Sequence, residues 1–241
     1  MNLETLVSKL SEFDVITIDY WQCPFESGVP LLTMPNVPQP LHALNPRILM
    51  GQEEWDKQRM ECNENAGNKC EICGMVGERL QAHELYSYNY KDHAGVFKRL
   101  VALCDKCHRS IHSGRLLTLT KEGNVPVNYY LQIVEHCFRL ISKYNKENNA
   151  ELRLYWSYLQ ALKIPELRND IIRLIKKYDI KFYKVKNTKK REWQEWKLIW
   201  GTQIIHSPYK TEDDWIEQMK NKKKMIICEM RTKVQTKYEI L

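Results

Sequence analysis

Two pairs of cysteines with the spacing of metal ligands lie near the middle of the chain. The first pair is Cys70 and Cys73, and the second is Cys104 and Cys107. A Cys-x-x-Cys turn presents two thiolates to one ion, and two such turns complete the tetrahedral site that zinc favours. Zinc capture contributes about 10 to 16 kcal/mol to the folding of small metal-stapled segments. The spacing therefore predicts one structural zinc site, whose loss should unfold this segment.

Three histidines accompany the cysteine pairs. His108 and His112 follow Cys107 and stand four residues apart, so on a helix both imidazoles project from one face and can hold a divalent ion. His83 lies in the insert between the two cysteine pairs. A site that keeps open positions for water and phosphate suits Mg²⁺ or Mn²⁺. We therefore expect a second, catalytic metal site of a different kind beside the zinc.

The segments that precede the cysteines and histidines must position them close together. An opening helix that ends at Phe13 is predicted, followed by a strand over Asp14–Tyr20. The prolines between Pro24 and Pro40 exclude a long helix and indicate strands and turns. Gln52–Ala66 is predicted to be a helix that leads to the first cysteine pair, with Trp55 and Met60 on its inward face.

The segments after His112 are predicted to be mostly helical. Gly114 is expected to end the preceding helix, and Leu116–Thr120 is predicted to be a short extended piece before a turn. Apolar residues at spacings of three and four predict three helices between residues 127 and 178, with Pro165 separating the second from the third.

Composition limits the class of protein. The chain has 241 residues, eight cysteines, a formal net charge of +7 and 43% hydrophobic residues. No segment has the pattern of a membrane span or a secretory signal, so a cytoplasmic protein that does not contact a membrane is expected. Cysteines in a reducing compartment favour metal ligation over disulfides. The positive charge suits a polyanionic partner such as DNA without requiring one.

The last sixty or so residues carry a basic run followed by Trp193, Trp196 and Trp200 at helical spacing. This region can follow a phosphate backbone and stack on bases. The alternative is a solvated basic turn that leads into a helix whose tryptophans form core. The predicted nucleic-acid contacts are Arg99, Arg109, Arg115, Lys184, Lys186, Lys189, Lys190 and Arg191.

The cysteine and histidine arrangement resembles the HNH, or ββα-metal, endonuclease family, in its zinc-containing four-cysteine branch of phage and bacterial type. The resemblance covers residues 62 to 115, and the approach through His42–Arg47 is similar to the lead-in of small members. It implies an α+β protein in which a hairpin and a helix are braced by zinc. It also implies that His83 is the general base, that His108 ligates the catalytic metal, and that His112 fills the second helical metal position.

The resemblance divides the chain into four regions. These are an N-terminal helix and strand region (1–50), the zinc-braced nuclease core (51–115), a helical region (116–180) and a basic, tryptophan-containing region (181–241). The implied activity is metal-dependent hydrolysis of DNA phosphodiester bonds, and a homodimer that cuts both strands is left open.

Two residues depart from the family pattern. Ala82 stands where the family has a metal-ligating Asp or His, and Arg99 stands near the position of its central Asn. Glu84 is the nearest carboxylate that can compensate for Ala82. The departures favour an alternative, in which the chain is a catalytically inactive zinc module that binds DNA or a host protein. A third possibility is a structural zinc protein that has no affinity for nucleic acid.

Overall fold

Helices and two β-sheets combine in a mixed α+β fold. The structure is a computed structural model and describes residues 13–22, 27–76, 79–185 and 190–221. The α-helices are α1 (Pro46–Met50), α2 (Gln52–Asn65), α3 (Asp105–Ile111), α4 (Ser113–Lys121), α5 (Val127–Asn148), α6 (Pro165–Tyr178) and α7 (Glu212–Asn221). The strands are β1 (Val15–Ile18), β2 (Tyr20–Trp21), β3 (Gln81–Asn89), β4 (Ala94–Leu103), β5 (Leu154–Tyr155), β6 (Phe182–Val185), β7 (Lys197–Trp200) and β8 (Gln203–His206).

The central unit is an antiparallel hairpin followed by a helix. Strands β3 and β4 pair along their length, with His83 opposite Val101, and α3 begins directly after Cys104. A bulge between Leu85 and Tyr86 shifts the register of the hairpin. The hairpin belongs to a five-stranded sheet in the order β2-β3-β4-β7-β8, whereas β1, β6 and β5 form a separate three-stranded sheet. The strand–strand–helix unit therefore carries the six predicted metal ligands and the predicted general base His83 on or beside it.

Helices α1 and α2 lie against this unit. The Asn45 side chain accepts a hydrogen bond from the Ile48 backbone N–H, and Pro46 occupies the first turn, so the start of α1 is capped. Gly51 adopts a φ of 86°, which allows the chain to turn directly into α2. Helix α2 confirms the predicted helix and the inward position of Trp55. The inward position of Met60 is wrong, because that side chain is 52% exposed.

Two regions differ from the sequence prediction around the central unit. Leu116–Thr120 is not extended but lies within α4, because Leu116, Leu117 and Thr120 bury one helical face. Gly114 is the second residue of α4 and not a helix stop. Between the prolines, Val29–Thr33 and Gln39–Leu41 are short 3₁₀ helices where strands were expected.

The helical region contains two of the three predicted α-helices. Helix α5 buries the predicted stripe that includes Val134, Phe138 and Ile141, and α6 begins at Pro165. The predicted middle helix is a two-residue strand followed by a 3₁₀ helix over Trp156–Lys163. No helix among the described residues has the length and apolar character needed to cross a bilayer.

Strands from the N-terminal and the C-terminal parts of the described chain contribute to both sheets. Strand β1 pairs with β6, and β7 pairs in parallel with β4 of the hairpin. Trp193 lies in a 3₁₀ helix and Trp200 in β7, so the predicted tryptophan helix is wrong. Trp193 and Trp196 are buried, so these two rings pack in the protein interior as the alternative interpretation expected. The predicted opening helix lies outside the described residues, apart from Phe13.

Candidate metal centres

The four cysteines converge on one point. Cys70, Cys73, Cys104 and Cys107 form a group whose sulfur atoms all lie within 4.8 Å of one another. The sulfurs of Cys73 and Cys104 are 3.7 Å apart. Four sulfurs at tetrahedral corners about 2.3 Å from a zinc ion would be separated by about 3.8 Å, so the cluster has the dimensions of a zinc site. The site fits a structural Zn²⁺, as the sequence predicted.

Local backbone geometry forms each half of this cluster. In the first cysteine pair, the Gly74 N–H donates to the Cys70 carbonyl and the Cys70 N–H donates to Met75, which closes a tight turn. Gly74 has a φ of 72°, a conformation that glycine adopts without strain. Cys104 precedes the first residue of α3, and its carbonyl accepts from the His108 N–H. A hydrogen bond from Cys104 lowers the pKa values of both Cys70 and Cys73.

An ion pair joins the first cysteine pair to the hairpin. The guanidinium of Arg99 on β4 donates to both carboxylate oxygens of Glu71, at 3.2 and 2.7 Å. The same carboxylate accepts from the Ala102 backbone N–H at 2.8 Å. Arg99 was predicted to contact nucleic acid, but the structure places it beside the zinc cluster and not in the cavity described below. Its observed contacts position the segment that carries two of the four thiols.

One histidine near the cysteine cluster was not predicted. His136 on α5 lies with its Nε2 atom 3.4 Å from the sulfur of Cys107, and both side chains are buried. His136 follows Cys107 by 29 residues and lies on another helix. No short-range spacing could have indicated this contact, which requires α5 to pack on α3.

The three histidines also converge. The ring centroids are 4.7 Å apart for His108 and His112, 4.8 Å for His83 and His112, and 5.3 Å for His83 and His108. Three imidazoles bound to one tetrahedral ion through bonds of about 2.1 Å would place their centroids roughly 5 Å apart. These separations place His83 in one triangle with His108 on α3 and with His112, which directly follows the last residue of that helix.

The protonation chemistry of this triangle also suits a cation. Burial lowers the pKa values of His108 and His112 to about 4, and burial followed by the two neighbouring imidazoles lowers the pKa of His83 well below its usual value. All three rings are therefore neutral at pH 7, the form that ligates metals. The Nδ1 atom of His83 is buried and lacks a hydrogen-bond partner within the described part of the chain. A bound ion or water would satisfy it.

We expect metal affinity at the histidine triangle to depend little on pH near neutrality. Between pH 7.5 and pH 6.0, Mn²⁺ affinity measured by electron paramagnetic resonance should change by less than about twofold, because protons do not compete for imidazoles whose pKa is far below this range. Three imidazoles with an ordinary pKa of 6.5 would lose about fiftyfold over the same interval. A loss above tenfold would contradict the depressed pKa values.

The histidine triangle lines a large cavity. This cavity has a volume of about 1690 Å³ and is bounded by α1, α2, the start of β3, α3 and α4. Glu84, the residue after His83, also lines the cavity. It does so although successive residues along a strand, here Ala82, His83 and Glu84, point to alternate faces of the sheet. Burial raises the pKa of Glu84, and the positive charge of Arg47 opposes that shift. Three carboxylates, those of Asp56, Glu84 and Asp105, therefore line the cavity that contains the triangle.

A hydrogen-bond network surrounds Asp105, the first residue of α3, three residues before His108. Asp105 accepts hydrogen bonds from the Arg109 guanidinium at 2.7 Å, the Tyr129 hydroxyl at 2.6 Å and the Gln81 amide at 3.2 Å. Arg109 also lies over the Tyr129 ring. Arg109 lines the cavity as predicted for a phosphate contact, but its charge is already partnered.

The remaining predicted nucleic-acid contacts divide into two groups. Arg115 is exposed and lines the cavity, whereas Lys184 is exposed on β6 in the other sheet. Lys186 and Lys189 lie outside the described residues, and the side chains of Lys190 and Arg191 are not described.

The described residues define a mixed α+β protein with two clusters of metal-ligand side chains on one strand–strand–helix unit. No protein family, curated protein or solved structure was found to match this chain. The functional argument therefore rests on the geometry of the two clusters and of the cavity.

Proposed function

We propose that this protein is a metal-dependent endonuclease of the HNH type that hydrolyses phosphodiester bonds of DNA. The observation that supports this proposal is the convergence of three neutral imidazoles beside a four-cysteine cluster, at the wall of a cavity lined by five arginines. In this proposal the cysteines hold a structural Zn²⁺ and the histidines hold a catalytic Mg²⁺ or Mn²⁺. Such an ion, when bound, stabilises negative charge on the phosphoryl group and activates water.

The near-equal separations within the triangle favour a different division of roles from the one that the family resemblance implies. His83 serves as the third ligand, together with His108 and His112, because its ring centroid lies 5.3 and 4.8 Å from theirs, close to the 4.7 Å between them. A group that ligates an ion through its available nitrogen cannot accept a proton there at the same time. Glu84 then takes the proton of the attacking water, as the carboxylate nearest in sequence to the triangle.

The alternative function is an inactive zinc module that binds DNA or a host protein. Ala82 supports this alternative, because a methyl group cannot supply the additional ligand that the family places there. The seven clustered ligands and the cavity weigh against it, because a module that only binds has no need for a second set of converging imidazoles.

A plasmid nicking assay tests the proposal. We expect the native protein to convert supercoiled DNA to open circles with Mn²⁺ or Mg²⁺, whereas His112→Ala should fall to the background rate. His206→Ala is the matched control, because His206 is exposed on β8 outside the cavity. Absence of cleavage by folded, zinc-loaded native protein would favour the inactive module. Absence of salt-dependent DNA binding as well would leave only a structural role.

A further inference from the structure

Five arginines line the cavity that contains the histidine triangle, but they do not have equivalent surroundings. Arg59 forms an ion pair with Asp56 at 2.6 Å, and Arg109 forms one with Asp105 at 2.7 Å. Arg79 lies on the loop before β3, beside residues that the structure does not describe. Arg47 and Arg115 are exposed, and neither has an ion-pair partner among the described residues. These two guanidinium groups are thus available to an incoming anion.

Arg47 and Arg115 approach the site from different elements. Arg115 lies on the first turn of α4, three residues after His112, and both residues line the cavity. Arg47 lies on α1 and lines the cavity together with Glu84. The two arginines therefore line the cavity from two different helices.

The structure also restricts the orientation of Arg47. Its guanidinium carbon lies 5.2 Å from the ring centroid of Trp55, which is buried in α2. Such stacking fixes the plane of a guanidinium while leaving its N–H groups free to donate to phosphate oxygens. A planar group held in this way suits two-pronged recognition of a phosphate.

We propose that Arg47 and Arg115 form a clamp that holds the phosphates flanking the scissile bond of a polynucleotide strand. This proposal rests on the proposed function and adds the requirement for a substrate with phosphates on both sides of the cleaved bond. A small diester that carries only one phosphate engages the histidine triangle but not the clamp. The substrate class is therefore a polynucleotide and not a simple phosphodiester.

Kinetics on two substrates distinguish a defect in the clamp from a defect in the metal centre. Arg47→Gln and Arg115→Gln should each raise KM for a 20-nucleotide DNA about tenfold, the loss expected when one charge-assisted hydrogen bond is removed. Their loss of kcat/KM for bis(p-nitrophenyl) phosphate with Mn²⁺ should be much smaller than their loss on the DNA, because this substrate has no flanking phosphate. Arg173→Gln is the matched control, because it removes the same charge from an exposed position on α6. Parallel losses on both substrates would overturn the clamp.

Binding without cleavage provides an independent measurement. With Ca²⁺ in place of Mn²⁺, fluorescence anisotropy of labelled single-stranded and duplex DNA should show that each variant weakens binding. Each should also reduce the slope of log affinity against log salt by roughly 0.7 to 1. The strand form that loses affinity identifies the substrate, and unchanged affinity for both forms overturns the clamp.

The outcomes also separate this proposal from the proposed function. If native protein cleaves neither substrate but the two variants still weaken DNA binding, the clamp stands and catalysis fails. A melting curve shows whether Arg47→Gln perturbs the packing of Trp55. If it does, the test of the clamp rests on Arg115→Gln.

Discussion

Replacing Cys104 by serine should cost the protein its zinc and its folded core. Zinc binding contributes about 10 to 16 kcal/mol in small structural sites, which is as large as the whole stability of a typical domain, about 5 to 15 kcal/mol. Cys104 is fully buried, and α3 begins at the next residue, so its loss releases both the ion and the start of that helix. Metal analysis and near-ultraviolet circular dichroism should show absence of zinc and loss of fixed tertiary structure.

The variant Cys62→Ser provides the control for this experiment. Cys62 is a half-buried free thiol on α2 outside the four-cysteine cluster, and burial raises its pKa to about 11. It should keep one zinc per chain and a native spectrum. A folded Cys104→Ser protein with unchanged tertiary signals would show that the zinc is not needed for the fold.

Single substitutions of the neighbouring residues His83 and Glu84 should produce opposite defects. His83→Ala should weaken Mn²⁺ binding at the histidine triangle at least about tenfold and abolish nicking, because one of three ligands is lost. Glu84→Gln should leave Mn²⁺ affinity nearly unchanged and lower the nicking rate about 10² to 10⁴-fold, the usual effect of removing a general base. Metal titration and single-turnover nicking separate the two effects.

The family resemblance instead implies that His83 is the general base. The same pair of variants therefore distinguishes the two assignments of roles. If His83→Ala binds Mn²⁺ normally and loses only its rate, then His83 is the base and the ion is held by the two helical histidines. If Glu84→Gln retains full activity, the carboxylate takes no proton. Glu64→Gln, at an exposed position on α2, controls for the loss of a negative charge.

Features with short-range signals were predicted from the sequence. The two Cys-x-x-Cys turns and the i, i+4 histidines are set by local geometry, so their spacing alone indicated that each group would converge. Helix α2 was predicted for the same reason, because its residues favour a helix whatever surrounds them. The sequence therefore indicated the site residues in short segments of the chain. Their spatial proximity depends on the pairing of the hairpin strands.

Features that depend on tertiary packing were missed. The contact of His136 with Cys107 joins α5 to α3, and the ion pair of Arg99 with Glu71 joins β4 to the first cysteine turn. Neither leaves a periodic pattern in the sequence. The tryptophans show the converse error, because their helical spacing is coincidental and the burial of Trp193 and Trp196 is decided by the packing of β7 and its neighbours.

The parallel pairing of β7 with β4 has a consequence for biosynthesis. Its register joins Ala94–Val96 to Lys197–Ile199, and strands so distant along the chain pair late because loop closure costs entropy before any contact is gained. The four cysteines and both strands of the hairpin precede residue 113 along the chain, whereas β7 begins at Lys197. The hairpin and the cysteine cluster can therefore form before β7 covers the β4 edge of the central sheet.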